Sequence, residues 1–549
     1  MKKITIFALS ALFATTLFAQ KDSLNAVVKV ENEYNPIIVK AIKPSFTPQV
    51  ENTSGNAPLD LVFSRSATPF ERFVSSRDIK KLLPTQEQPY DGYARLGYGL
   101  KGWLDAKVGY RLNVAPNDKI DIFASLTGFN SDVDGLAGPE WKSRFYNTWL
   151  MADYTHTFST MTLNVTGSIN NNLFNYQPSG LIAAGVDKQN ASSYNLLANI
   201  ESKSMSSISY KANLGYKLGT RKYSTAQEER TSENHFIAGG EFACEIDNEQ
   251  LRNLGVAVDF DAFIYNDAMK PQYYEYDNYI SVRTNPFMNF RFDDWKLRIG
   301  IHADVLTANG KKVAFAPDVK LEGALTDNLT FYTAITGGNT LNGFEKLGEL
   351  SPYWGYRTGD EQLTPTYKVF DVNSGMRVTF NPIAVNLYIG YDYEKYNLLP
   401  IVSIADPTGL VYTDFLQDDT RKFYIGGEVS GDCGGWLDAK ADVRYNKWSS
   451  DAAAGSLLFA PMLQANLKAR ARIIDDLYVG AGYNYARYTK DGGERITDMN
   501  NLSADVSYQF HKQLRAYVQA DNLLNRDYFD YAGYISRGVA VLLGIECNF

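Results

Sequence analysis

The chain has 549 residues and a formal net charge of −8, and 45% of its residues are hydrophobic and 13% aromatic. The acidic balance argues against nucleic acid as a partner, and three widely spaced cysteines give neither a disulfide framework nor a metal-binding pattern. After the first 19 residues, no segment approaches the roughly 20 apolar residues that a membrane-spanning helix requires.

The first 19 residues have the pattern of a secretory signal peptide. Lys2 and Lys3 precede an apolar run from Ile4 to Phe18, and Ala19 is a plausible cleavage position. Gln20 follows in place of Cys, so a lipoprotein anchor is not expected. The pattern predicts export from the cytoplasm.

Residues 20–91 do not alternate like strands. Prolines recur through this segment: Pro36, Pro44, Pro48, Pro58, Pro69 and Pro84. Proline at this density interrupts strand ladders, so we predict a periplasmic amino-terminal extension, partly extended. The alternative is a disordered linker, although apolar clusters such as Val27–Val30 indicate that part of the segment docks on something.

From residue 92 to residue 549 the chain alternates apolar and polar residues, as strands do when only one face meets an apolar environment. The last strand shows it most clearly, with one apolar face made by Val539, Val541, Leu543, Ile545, Cys547 and Phe549. A strand that ends on a terminal aromatic residue is typical of outer-membrane barrels. The fold class predicted is therefore all-β: a transmembrane antiparallel β-barrel of about 22 strands, within a range of about 14 to 22.

Two kinds of connection separate these strands. Short turns carry Asx, Gly or Pro chemistry, and longer connections are predicted at 131–144, 175–190, 219–232, 337–364, 399–421 and 523–537. Outer-membrane barrels place short turns in the periplasm and long loops outside the cell. Both ends of the barrel then lie on the periplasmic side, which requires an even number of strands.

The segment 517–538, YVQADNLLNRDYFDYAGYISRG, together with the closing strand, resembles the carboxyl terminus of TonB-dependent receptor barrels. The residues that carry the resemblance are Asn522, Leu523, Asn525, Tyr528, Gly533, Tyr534, Gly538 and Phe549. Asn522 is suited to close an Asx-type turn and Tyr528 to cap the rim. The resemblance covers about 92–549 and implies a location in the outer membrane of a Gram-negative cell, in contact with lipid and lipopolysaccharide.

The sequence departs from this family ahead of the barrel. Full receptors carry a plug domain there, and residues 20–91 are too short for one. The chain therefore resembles plug-less members of the family. Only residues 26–34, AVVKVENEY, are a candidate TonB box, so TonB is a doubtful partner.

Two functions follow from a barrel without a plug. A lumen of this size is normally filled, so the first hypothesis is a scaffold or gating subunit of a multi-protein outer-membrane complex, in protein export or outer-membrane protein assembly. Other outer-membrane or periplasmic subunits are then expected partners. The alternative is a TonB-linked or passive transporter that takes up a nutrient.

No catalytic, cofactor or metal site is predicted. The four histidines are isolated from one another, and no nucleophile, phosphate-binding loop or zinc spacing accompanies them. The best binding candidates are aromatic residues in two predicted loops: Tyr273, Tyr274, Tyr276, Tyr353, Trp354 and Tyr356. They are suited to hold a sugar or a peptide, and the alternative is that they pack among the loops or form an interfacial girdle.

Overall fold

A computed structural model describes residues 91–549, except for 137–139, 180–187, 204–206, 225–227, 247, 249, 268–275, 308–309, 356–362, 406–408, 434 and 453. The predicted signal peptide, the predicted extension up to residue 90 and the predicted absence of a plug lie outside the described residues and stay predictions.

The described residues form 25 strands, of which 22 close into a single antiparallel barrel. In chain order the strands are β1 (Gly92–Gly99), β2 (Leu104–Ala115), β3 (Asp118–Val133), β4 (Trp141–Thr157), β5 (Met161–Phe174), β6 (Gln177–Pro178), β7 (Gln189–Ser202), β8 (Ile208–Ser224), β9 (Glu228–Glu245), β10 (Leu251–Asp267), β11 (Tyr279–Phe292), β12 (Trp295–Leu306), β13 (Val313–Thr326), β14 (Leu329–Thr340), β15 (Thr366–Phe380), β16 (Ile383–Ala405), β17 (Leu410–Asp432), β18 (Leu437–Ser450), β19 (Pro461–Ile474), β20 (Leu477–Tyr488), β21 (Met499–His511), β22 (Leu514–Asp521), β23 (Phe529–Tyr531), β24 (Tyr534–Ile535) and β25 (Ala540–Asn548).

The short strands β6, β23 and β24 lie outside the ring. The ring closes because β25 pairs with β22 on one side and with β1 on the other. A short 3₁₀ helix (Leu100–Gly102) follows β1, and a short α-helix, α1 (Phe344–Leu350), lies between β14 and β15. Within the described ranges, no helix is long and apolar enough to cross a membrane. The predicted all-β barrel of about 22 strands is confirmed.

The two faces of the closing strand differ as predicted. Leu543 and Ile545 are 63% and 55% exposed, whereas Ala540 and Leu542 are fully buried. Apart from Leu542, the inner face carries small and polar side chains, and an apolar outer face beside such an inner face is what lipid outside and a lumen inside require. At the end of the strand, the Phe549 ring stacks on Tyr110 at 5.9 Å.

The connections alternate between the two rims as predicted, but several predicted loops are strand. Half of 131–144 and most of 219–232 and 399–421 belong to strands that extend past the membrane, and β16 and β17 each have 23 residues. About 9–11 residues suffice to cross the bilayer, so these strands project beyond it. Their outer parts were missed because strands above the membrane do not need an apolar face.

We expect Gly544→Ala in β25 to destabilise the barrel closure. A Cβ there would lie 2.3 Å from both the hydroxyl and the ring carbon Cζ of Tyr517, which is buried at the seam, and overpacking of this kind costs about 1–3 kcal/mol. Gly167→Ala in β5 is the matched control, because its Cβ would meet nothing within 4 Å. Loss of the folded band on heated SDS gels should begin at a lower temperature for Gly544→Ala alone, and equal behaviour of the two variants would contradict this packing.

Candidate functional site

The outer rim, opposite the start of β1 and the end of β25, is covered by four packed segments that we call the cap. The described residues of the cap are 175–179, 341–355, 396–405 with 409–418, and 522–538. Their aromatic side chains pack with residues of β4, β5, β10 and β11 in two buried clusters, one of which contains Tyr353 and the other Trp354. The cap therefore shares its apolar core with the barrel wall.

The β14–β15 connection crosses the mouth of the barrel. Its Tyr353 ring lies 5.9 Å from Phe145 on β4 and 5.5 Å from Phe174 at the end of β5. Seven ring strands, β7 to β13, separate β5 from β14, so these contacts join nearly opposite walls. A segment that reaches across the ring in this way obstructs the outer opening.

The helix α1 anchors the crossing segment to the wall. Phe344, Leu347 and Leu350 point into the buried cluster, where Phe344 meets Trp354 at 5.1 Å. The backbone N–H of Phe344 donates to the Glu233 carboxylate at 2.9 Å. Glu233 is 5% exposed, so a buried side-chain acceptor on β9 holds the first N–H of α1.

A long hairpin supplies the second part of the cap. β16 and β17 lose register between Glu394 and Asn397, where Tyr396 has φ +55, and such a bulge bends a strand. Beyond it, Leu410 and Val411 pair with β6, across the mouth. At the centre of the contact, the Thr413 hydroxyl donates to the carbonyl of Ala532 at 2.9 Å and meets the Ser351 hydroxyl at 2.8 Å.

Arg221 joins the wall to the cap through a buried guanidinium. The side chain is 2% exposed and donates to the carbonyl of Pro352 at 3.2 Å, to the carbonyl of Trp354 and to the Tyr176 hydroxyl at 3.0 Å. Its guanidinium carbon also lies 4.1 Å from the Trp354 ring centroid, a favourable contact in a desolvated site. One side chain of β8 therefore holds two segments of the cap.

Tyr534, one of the family-motif residues, packs inside the cap. Its ring stacks on Tyr353 at 3.7 Å, and its hydroxyl donates to the carbonyl of Val411 at 2.7 Å. Burial raises the pKa of Tyr534 well above its ordinary value, so the hydroxyl stays a donor at physiological pH. Burial likewise raises the pKa of Tyr176.

The other motif residues shape the loop before the closing strand. Asn522, with φ +50, donates to the carbonyl of Arg526 at 2.9 Å and accepts from its N–H at 3.1 Å, which closes a turn. Asn525 accepts from the N–H of Val539 at 3.3 Å. The other motif positions in this loop are buried Tyr528, Leu523 at 40% exposure, Gly533 at φ +86 and Gly538 at φ +69.

The predicted binding aromatics divide into three groups. Tyr353 and Trp354 are 4% and 3% exposed inside the cap, so in this conformation they bind other loop residues. Tyr276 is partly buried and stacks on Tyr265 at 5.0 Å beside a surface cavity. Tyr273, Tyr274 and Tyr356 lie outside the described residues. A ligand-binding role for these aromatics stays a prediction.

Below the cap, the lumen wall is polar and charged. A cavity of about 560 Å³ opens on the inner face of β9 to β14. On its wall, Asp318 is held by Arg298 at 2.8 Å, by Lys320 at 3.0 Å and by the amide of Asn285 at 3.0 Å, and His302 lies beside this network. Charges paired in this way leave a hydrated wall that suits polar solutes.

Comparisons with known proteins show the fold. No protein-family profile matches the sequence, and no curated protein matches it. Among solved structures, the ferric enterobactin receptor PfeA of Pseudomonas aeruginosa, in complex with enterobactin, matches with a TM-score of 0.65 at 11% identity over 83% of this chain and 81% of that chain. The FrpB iron transporter of Neisseria meningitidis matches with 0.65 at 11% identity over 87% and 83%. The siderophore receptor PirA of Acinetobacter baumannii matches with 0.64 at 13% identity over 83% and 80%.

These similarities place the protein in the outer membrane and support the resemblance to TonB-dependent receptor barrels at the level of fold. The matched proteins are receptors and transporters. At 11–13% identity, these similarities show the fold of the chain and not its activity.

We expect Glu233→Leu to loosen α1, because the Phe344 N–H would lose its acceptor inside the cap and an unsatisfied buried donor costs about 1–3 kcal/mol. Glu233→Gln is the matched control, since its carbonyl oxygen keeps an acceptor in place. Hydrogen exchange of residues 344–350 should accelerate in the leucine variant and stay near wild type in the glutamine variant. Equal exchange in all three proteins would contradict the anchoring role.

Proposed function

We propose that the protein is a non-enzymatic outer-membrane transporter that admits a nutrient through its barrel lumen, with the cap as the outer gate. The observation that carries the proposal is the β14–β15 connection, which joins nearly opposite walls through the contacts of Tyr353. A 22-strand barrel encloses a lumen that leaks unless it is filled. A closed mouth above a polar wall suits a passage that opens on demand.

The cap has the construction expected of a movable gate. Besides its apolar packing, it is joined to the barrel wall by specific polar contacts, those of Arg221 and Glu233 with 341–355. A segment held by such contacts is able to switch between two discrete positions when the contacts break together and others replace them. The proposal includes an energy source for opening, which a TonB link through residues 26–34 would supply. Those residues lie outside the described part of the chain.

The test is uptake in cells with and without the protein. A deletion strain should fail to accumulate at least one nutrient from a panel of iron chelates, oligosaccharides and peptides, and the wild-type chain should restore it. Unchanged uptake across the panel, together with recovery of the protein in a stable complex with other outer-membrane subunits, would overturn the transport proposal.

The scaffold or gating-subunit role in protein export or outer-membrane assembly is the second candidate. One observation favours it: Gln177 and Thr413 at the centre of the cap are completely buried, and a permanently filled mouth suits a scaffold. Gentle detergent extraction followed by mass spectrometry of co-purifying subunits tests it. Recovery of the barrel alone, conducting in planar bilayers, would count against the scaffold.

A further inference from the structure

A sector of the inner barrel wall on β3, β4, β5 and β7 is polar but uncharged. On these strands Leu150, Ile169 and Leu196 are 45%, 41% and 57% exposed, as lipid-facing side chains are, so the alternate residues face the lumen. Direct strand pairs join those residues in continuous rows across the sheet. We call the following ones the neutral sector: Ser125, Thr127, Asn147, Trp149, Met151, Ser168, Asn170, Asn172, Ser193 and Asn195.

The neutral sector lies directly below the cap. Phe145, the next inward-facing residue above Asn147 on β4, contacts Tyr353 of the crossing segment at 5.9 Å. On the neighbouring strand β8, Lys217 pairs with Glu345 of α1 at 2.5 Å. On this side of the lumen, a solute that passes the open cap therefore meets the neutral sector first.

The nearest charge on β4 has its own partners. Asp153, the next inward-facing residue below the sector, accepts hydrogen bonds from Thr166 and from Asn164, each at 2.6 Å. The wall of β11 to β13 is different, because it carries the ion pairs of Asp318. A charged group that leaves water without a partner is penalised, so the neutral sector suits a ligand that has no charge.

The amides of the sector have hydrogen-bonding capacity to spare. Asn147 donates through its amide nitrogen to Asn170 at 2.9 Å and to Asn172 at 2.7 Å. Among the described residues, nothing pairs with the carbonyl oxygen of Asn147 or with the amide nitrogens of the other two. Amides both donate and accept, so a ligand rich in hydroxyl groups meets donors and acceptors that are already held in place.

Trp149 adds a flat ring to the same wall. Its ring packs on the buried ring of Phe123 at 4.8 Å, which fixes its position, while the side chain stays partly exposed. Ser125 and Asn170 are its direct partners on the two neighbouring strands. The apolar C–H face of a sugar packs well on an aromatic ring, and the hydroxyl groups at its edge then reach the neighbouring amides.

We infer that the neutral sector binds an uncharged oligosaccharide. Trp149 packs against one sugar ring, and Asn147, Asn170 and Asn172 hold its hydroxyl groups. Strand spacing and rise give the sector a size of roughly 14 Å by 13 Å, which suits a short oligosaccharide. As the substrate class of a transporter, this saccharide rests on the proposed function, whereas binding itself does not.

The test is calorimetric titration of the purified full-length protein in detergent with maltotriose, and with trigalacturonate as a charged saccharide of the same length. The Arg221→Met protein is titrated in parallel, because its cap loses a buried contact with the wall. The loss variants are Trp149→Leu, which removes the flat ring, and Asn170→Ala, which removes one amide. The matched control is Tyr332→Leu, which removes a ring from the lumen side of β14, outside the sector.

The inference predicts saturable binding of maltotriose and weaker binding of trigalacturonate. Maltotriose should bind about fivefold more weakly to Trp149→Leu, about threefold more weakly to Asn170→Ala and with unchanged affinity to Tyr332→Leu. A heat-resistant band on SDS gels verifies that each variant is folded. If Trp149→Leu fails that check, Asn170→Ala decides.

Three outcomes overturn the inference: tighter binding of trigalacturonate, an equal loss of affinity in the control variant, or no saturable maltotriose binding to either the wild-type or the Arg221→Met protein. Uptake of another nutrient without saccharide binding would remove this inference and leave the transport proposal standing. Binding with the expected dependence but without any uptake defect in the deletion strain would do the reverse, so the two fail separately.

Discussion

Removal of the crossing segment should open the barrel. Thr340 and Thr366 are partners in the β14–β15 ladder, so a turn of about four glycine-rich residues can replace 342–364 without disturbing either strand. We expect the single-channel conductance of this variant in planar bilayers to rise about tenfold or more over the wild type, because its lumen loses the segment that obstructs its outer end.

The control replaces the β12–β13 connection, 307–312, with glycine and serine at equal length, since that connection is not part of the cap. It should leave the conductance unchanged. If the deletion variant conducted no better than the wild type and still formed a heat-resistant barrel, the cap would not be the barrier to permeation.

Arg221→Met should release the cap while the barrel stays folded. The Pro352 carbonyl loses its Arg221 donor, and the ring of Trp354 loses its cation. One unsatisfied buried carbonyl and one desolvated cation–π contact together amount to about 3 kcal/mol. That energy raises the population of the open cap about a hundredfold. The measurement is the rate at which protease cleaves within 341–365 on intact cells, which should rise in proportion to this population.

Arg421→Met is the matched control for this variant. Arg421 lies on β17, and its exposed side chain pairs with Asp451 at 3.2 Å, an interaction worth about 0–1 kcal/mol. Cleavage should stay at the wild-type rate there. Equal cleavage of both variants would show that the buried guanidinium does not hold the cap.

The barrel was predictable because lipid imposes a rule on every spanning strand. Leu543 and Ile545 must face lipid while Leu542 and Gly544 face inward, and this period of two is visible in the sequence. The even strand number follows in turn from short turns that alternate with longer connections. Neither inference depends on which strand contacts which across the lumen.

The cap was not predictable, because nothing local marks its contacts. Arg221 lies in the predicted loop 219–232 and Glu233 follows it directly, and their partners Pro352 and Phe344 are more than a hundred residues away in the chain. Pro400 and the sequence of residues 406–409, DPTG, which is typical of a loop, disguised the β16–β17 hairpin. The aromatic residues Tyr353 and Trp354 were recognised, but only the fold shows that they pack against Phe174, Tyr534 and Arg221.

The most direct test of the gate is an engineered disulfide that holds the cap closed until it is reduced. The Ser351 and Thr413 hydroxyls lie 2.8 Å apart, so cysteines at both positions are placed to form a disulfide between 341–355 and the β16–β17 hairpin. The pair is introduced into the Arg221→Met protein, with Cys244, Cys433 and Cys547 replaced by serine. Conductance in planar bilayers should be abolished under oxidising conditions and restored by a reductant, whereas the same conductance in both states would contradict a gate at the outer mouth.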